Sequence, residues 1–132
     1  MIFLTGDKHT NFKGVEIFCK GFNTSRNDLL IILGDAGLNF YLDQQDRKLK
    51  HFVNGLPLTF FCIHGNHEER PEIVGGYKEK VFCGGRVLYE EAYPNILFAV
   101  DGEIFDFNGL STLVCGGAYS IDKKLRLERG WP

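Results

Sequence analysis

Three apolar runs, each ended by a glycine and a cluster of polar side chains, constrain this chain more than anything else in it. They are "IFLTGDKH" (2–9), "LLIILGDAG" (29–37) and "LTFFCIHGNHE" (58–68). The runs are continuous rather than alternating, which is how parallel strands covered on both faces look. Helical patterns lie between them, "FKGVEIFCKGF" (12–22) and "YLDQQDRKLKHFV" (41–53). In the second, Leu42, Leu49, Phe52 and Val53 fall on one helical face. A strand-to-strand spacing of about 30 residues is the size of a βαβ unit. The opening half therefore reads as a three-strand parallel βαβαβ core.

After Glu69 the pattern changes to short strand candidates: "GRVLYEEAY", "NILFAV", "EIFDF" and "LSTLVCGG". Asp101-Gly102 and Asn108-Gly109 separate the last three, and both dipeptides suit type I′ hairpin turns. The expectation is an antiparallel β-meander over residues 96–115. The fold class is thus α/β, a parallel βαβαβ core followed by a meander. At 132 residues the chain is expected to form a single domain over 1–132 with a real core.

Other classes are disfavoured. A net charge of −2 argues against a protein that binds nucleic acid by broad charge neutralisation. The N-terminus lacks a charged n-region, and no stretch approaches the roughly 20 apolar residues needed to span a bilayer. The four cysteines, Cys19, Cys62, Cys83 and Cys115, form no C-x-x-C pair. A reduced cytoplasmic setting fits that usage best.

Open α/β sheets bind ligands at the carboxyl ends of their strands, so the three tips should converge. They would bring together Asp7, His9, Asp35, Asn66 and His67. Carboxylate and imidazole donors suit divalent Mn, Fe, Zn or Ni, and the absence of thiolates speaks against a structural zinc. Asp7 and His9, at i and i+2, can clamp one cation from an extended segment. Asp35 has two oxygens with which to bridge to a second cation, to which Asn66 offers a neutral oxygen. Two cations roughly 3.5–4 Å apart activate water for in-line attack on phosphorus. His67 is then placed to bond the phosphoryl group or protonate the leaving oxygen.

The ordered triple "GDKH", "GDAG" and "GNHE", each closing an apolar strand, resembles the calcineurin-like metallophosphoesterases. The resemblance covers residues 1 to about 70, and the later meander is compatible with that family's two-sheet sandwich. It implies a metal-dependent hydrolase of phosphate esters. Asp7 and His9 would be ligands of a first metal, Asp35 the bridging ligand, Asn66 a ligand of the second metal, and His67 with Asp35 the catalytic pair.

The chain departs from the family pattern in several places. Leu38 stands where an Asp often pairs with the catalytic histidine, leaving Glu68 or Glu69 as substitutes. His64 stands where a phosphate-holding Arg is common, and Lys8 fills the variable slot. The chain has four histidines, His9, His51, His64 and His67, so the family's later Gly-His-x-His segment is missing. The first metal would keep Asp7, His9 and Asp35, and the second Asp35 and Asn66. Together with the "ERGWP" ending, this reads as the N-terminal part of a phosphoesterase, whether a natural truncation, one product of a split gene or a shortened chain.

Plainer readings compete. Asp and Asn favour turns regardless of function. His64 reads as a polar residue satisfied by a neighbouring loop, and His51 as solvent-facing on its helix. Glu68 and Glu69 suit the N-terminus of a short helix in "EERPEIV". The basic "KKLRLERGW" (123–131) reads as a solvated segment rather than a site for an anion. The stretch Gly116–Ser120 resembles a site-edge loop of the family. Two functions follow: a phosphoester hydrolase completed by another segment or subunit, or an inactive phosphoesterase-like module that binds a protein or ligand. Exposed strand edges would favour an oligomer or a complementing chain under either. Nucleotides, phosphoproteins, phosphodiesters and small phosphates all remain open as substrates.

Overall fold

A computed structural model describes residues 1–117 and 121–130. Ala118, Tyr119 and Ser120 of the Gly116–Ser120 loop lie outside the described residues, as do Trp131 and Pro132 of the "ERGWP" ending. The elements are β1 (Ile2–Thr5), α1 (Lys13–Phe22), β2 (Leu29–Leu33), α2 (Gln44–Gly55), β3 (Thr59–Ile63) and α3 (Pro71–Val74). They continue with β4 (Lys78–Phe82), β5 (Gly85–Tyr89), β6 (Ile96–Ala99), β7 (Ile104–Phe107), β8 (Leu110–Leu113) and α4 (Lys123–Glu128).

Six strands form one sheet in the order β1-β2-β3-β6-β5-β4, and β7 and β8 form a second. The α/β class expected from the continuous runs is what is observed, with β1, β2 and β3 parallel and in register from Ile2↔Leu29 and Leu29↔Thr59 onward. Within each buried strand, alternate residues face opposite layers. Leu30, Ile32, Phe60, Cys62, Ile96 and Phe98 pack with Phe12, Val15 and Cys19 of the α1 region and with Val53 of α2. Leu29, Ile31, Phe61, Leu97 and Ala99 pack with Phe105 and Phe107 of β7 and with Val114, just after β8. Helices thus cover one face and the β7–β8 hairpin the other, with Phe61 set edge-on against Phe105 at 4.8 Å.

Several details differ from the sequence reading. The helix expected over 41–53 begins at Gln44, because Asp43 caps it by accepting from the Gln45 N–H at 2.7 Å. Leu42 lies before the helix, in the left-handed region at φ 58 and exposed, so only Leu49, Phe52 and Val53 belong to the apolar face. The parallel core also gains a fourth strand, since β6 pairs parallel to β3.

The segment expected as a continuous meander is split between the sheets. Asn108-Gly109 forms the foreseen hairpin turn, both residues at positive φ (58 and 85), and joins β7 to β8. At Asp101-Gly102 only Gly102 has positive φ, and the chain crosses from β6 in the first sheet to β7 in the second. Packing Phe105 and Phe107 over Phe61 outweighs the local hairpin signal there. A second hairpin, β4–β5, turns at Cys83-Gly84 with φ 49 and 85.

Among the described residues, no helix is long and apolar enough to cross a membrane.

Candidate metal centre

The tips of β1, β2 and β3 meet at one end of the sheet, braced largely by peptide groups. The N–H groups of Lys8 and His9 both donate to the Asp35 carbonyl, at 3.0 and 2.9 Å, and Thr10 N–H donates to Ala36 O. The second and third tips are joined through side-chain carboxylates. Asp35 Oδ1 accepts from His67 N–H at 2.8 Å. Glu68 accepts from Ala36 and Gly65 N–H on one oxygen and from Gly37 N–H on the other, at 3.0 Å.

The glycines make this approach feasible. A Cβ on Gly65 would lie 1.9 Å from Asp35 Oδ1, and one on Gly37 would lie 2.6 Å from Thr10 N. His9 and Asp35 are themselves in the left-handed region, at φ 43 and 47. Such backbone costs of order 1–3 kcal/mol per residue and persists only when its surroundings over-determine it.

The outcome is a three-donor cluster. Ligand atoms of Asp7, His9 and Asp35 all lie within 4.8 Å of one another, with Asp35 buried and the other two exposed. His9 Nε2 stands 3.8 Å from Asp7 Oδ2. Asn66 lines the same open cavity of about 410 Å³ as Asp7, Asp35, His64 and Gly116. The His67 ring sits edge-on to His9, with centroids 5.8 Å apart. All five residues singled out from the sequence therefore gather at the tips.

Other expectations shift. Glu68 is not at a helix N-terminus: α3 starts after Arg70, with Glu72 as its first-turn acid. Glu68 is instead buried between the tips. Its carboxyl pKa is raised, chiefly by burial, and the Gly65, Gly37 and Ala36 N–H groups offset only part of that shift. Its oxygens are engaged by backbone donors, and Leu38 is fully buried in the core facing the helices, so neither position presents an acid paired with His67.

His64 is only partly satisfied by a neighbouring loop. Its carbonyl accepts from Gly117 N–H at 3.0 Å, and its Nδ1 stands 3.5 Å from Asp101 Oδ1. Its buried Nε2 has no hydrogen-bond partner among the described residues. Burial lowers the His64 pKa, and Asp101 opposes that shift. His51 is exposed on α2, as expected.

The basic segment is not wholly solvated. Lys123 and Lys124 are exposed, but Arg126 is buried and its Nη1 donates to the Asn66 carbonyl at 2.7 Å. Sequence reasoning missed this contact because nothing local relates positions 60 residues apart. A signal for the Glu68 brace did exist: a carboxylate directly after a glycine-rich tip can collect the N–H groups that tight turns leave unpaired.

A family model described as calcineurin-like phosphoesterase matches residues 1–132. No curated protein and no solved structure matches.

Proposed function

The chain belongs to the calcineurin-like phosphoesterase family, and from that premise we propose that it hydrolyses phosphate esters with divalent cations bound at the strand tips. The observation that carries the reading is the convergence of Asp7, His9 and Asp35 donor atoms within 4.8 Å. Two carboxylates and an imidazole at that separation fit a borderline divalent cation, Mn, Fe, Zn or Ni. Asp7 and His9 would hold a first cation, Asp35 would face both, and Asn66 would offer its amide oxygen to a second. Bound there, the cations supply Lewis-acid polarisation of the phosphoester and a lowered pKa for the attacking water.

The chain's own residues do the rest. The Asp35 carboxylate is held by His67 N–H, so its orientation is fixed before a ligand arrives. His67, beside Asn66, would hydrogen-bond the phosphoryl group or give its proton to the leaving oxygen. Glu68 keeps the second and third tips at a constant separation.

The test is to exchange the full chain into Mn²⁺ and measure bound metal and hydrolysis of an aryl phosphate. Bound metal with turnover, both lost in Asp35→Ala, is the expected result. His67→Ala should keep the metal and lose about 10²–10⁴-fold in rate. A protein that neither retains Mn²⁺ nor turns over would overturn the proposal.

A further inference from the structure

We infer that Arg126 is a positioning residue for the third tip, acting through the peptide group between Asn66 and His67. The inference rests on the functional reading above in taking Asn66 and His67 as site residues. A peptide group is planar and rigid, so fixing its oxygen and its nitrogen fixes both flanking backbone angles. Here both ends are held. Arg126 Nη1 donates to the Asn66 carbonyl at 2.7 Å, and the His67 N–H of the same peptide donates to Asp35 Oδ1 at 2.8 Å. The plane thus lies between a guanidinium and a carboxylate, and it carries the Asn66 side chain on one side and the His67 side chain on the other.

The bond is suited to that role. A charged donor on a carbonyl makes a shorter and stronger bond than a neutral one. The cation also polarises the peptide, which strengthens the His67 N–H as a donor to Asp35. Arg126 is 8% exposed, and its Nε stands 3.3 Å from Asp122 Oδ1 one turn earlier on the same segment.

A second contact from the chain after β8 points the same way. Gly117 N–H donates to the His64 carbonyl, and a Cβ on Gly116 or Gly117 would come within 2.7 or 2.8 Å of the His64 ring. The carbonyls on either side of Gly65, at His64 and Asn66, are both taken by this later segment. Arg126 supplies a side-chain bond in that grip, to the Asn66 carbonyl.

The test uses the full chain and two readouts. One is hydrogen exchange of the His67 amide in the metal-free protein, with Phe60 and Phe61 of β3 as internal references. The other is Mn²⁺ affinity. In Arg126→Ala the His67 amide should exchange at least tenfold faster while the β3 amides keep their wild-type rates. Mn²⁺ affinity should fall about 10- to 100-fold, as for other residues that orient ligands from behind. Arg126→Lys, which keeps the charge and a donor, should recover most of both.

Wild-type exchange at His67 in Arg126→Ala overturns the inference, and so does acceleration spread evenly along β3. Should Arg126→Ala fail to fold, Arg126→Gln is read by the same two measurements. Asp35→Ala separates the two proposals. If it binds Mn²⁺ like wild type the metal reading fails, whereas the His67 exchange rate in the Arg126 variants still decides the role of Arg126.

Discussion

Replacing Gly65 by alanine tests the contact between the second and third tips most directly. The added Cβ would lie 1.9 Å from Asp35 Oδ1, 2.3 Å from Asp35 N and 2.5 Å from Asp35 Cγ. Two of these atoms belong to a buried carboxylate that already accepts from His67, and the third is backbone, so no flexible end can swing aside. Restoring ordinary contact at about 3.4 Å requires the tips to part by roughly 1.5 Å, an overpacking strain worth about 1–3 kcal/mol. That movement stretches the bonds from His67 N–H to Asp35 and from Gly65 N–H to Glu68, each contributing about 0.5–1.5 kcal/mol. Because those bonds are stretched rather than broken, the expected loss lies in the lower part of the summed range of about 2–6 kcal/mol, at about 2–4 kcal/mol, within the roughly 5–15 kcal/mol stability of a typical fold. The variant should therefore fold with a lower urea midpoint, an unchanged m-value and weakened Mn²⁺ binding. Gly21→Ala in α1 is the control, because its Cβ meets nothing within 4 Å. It should gain about 0.5–1 kcal/mol. A Gly65→Ala midpoint equal to wild type, with unaltered metal affinity, would refute the tight-tip argument.

Phe105→Ala removes a fully buried ring that joins the two sheets through Phe61. It should cost about 3–5 kcal/mol by urea denaturation, and a loss under 1 kcal/mol would show that the hairpin packs more loosely than described. Lys50→Ala strips a nearly buried ammonium from Glu90 at 2.7 Å and from the Tyr77 hydroxyl at 3.1 Å. The loss should be about 3 kcal/mol, because Glu90 is left poorly paired, and a neutral result would mean water replaces the ammonium. Asp28 is held below the ordinary aspartate pKa first by the Met1 ammonium and then by Ser25 N–H. A lowered folded-state pKa gives stability that is present above the ordinary Asp range and lost as pH falls through the folded value. Asp28→Asn should therefore flatten the acid limb of the stability curve, and acid limbs of equal slope would exclude the linkage.

What could be read from the letters was whatever they dictate locally. Continuous runs such as Leu29–Ile32 signal a strand covered on both faces, and Gly-Asp or Gly-Asn at their ends marks a turn with polar side chains on it. Hence the first three strands, their parallel pairing and the gathering of Asp7, His9, Asp35, Asn66 and His67 were accessible. Strand β4 was not, because Lys78-Glu79-Lys80 on a half-exposed edge carries no apolar pattern and its Cys83-Gly84 turn is an unusual pair. The parallel pairing of β6 with β3, and the passage of β7 into a second sheet, were decided by Phe61, Phe105 and Phe107 meeting across the core. Such packing choices have no signature in any single segment. The Asp43 cap, by contrast, was visible in "DQQD" and would have placed the start of α2 correctly.

The cross-bonds between the first two tips run from Lys8, His9 and Thr10 N–H to the carbonyls of Asp35 and Ala36. Every residue type has a backbone carbonyl and every one except proline a backbone N–H, so those bonds survive almost any exchange of the side chains above them. Lys8 can therefore be swapped for an acid, an aromatic or a small residue without re-aiming Asp7 or His9. A frame of this kind separates what holds the tips together from what decorates them, so the side chains there can be exchanged one at a time.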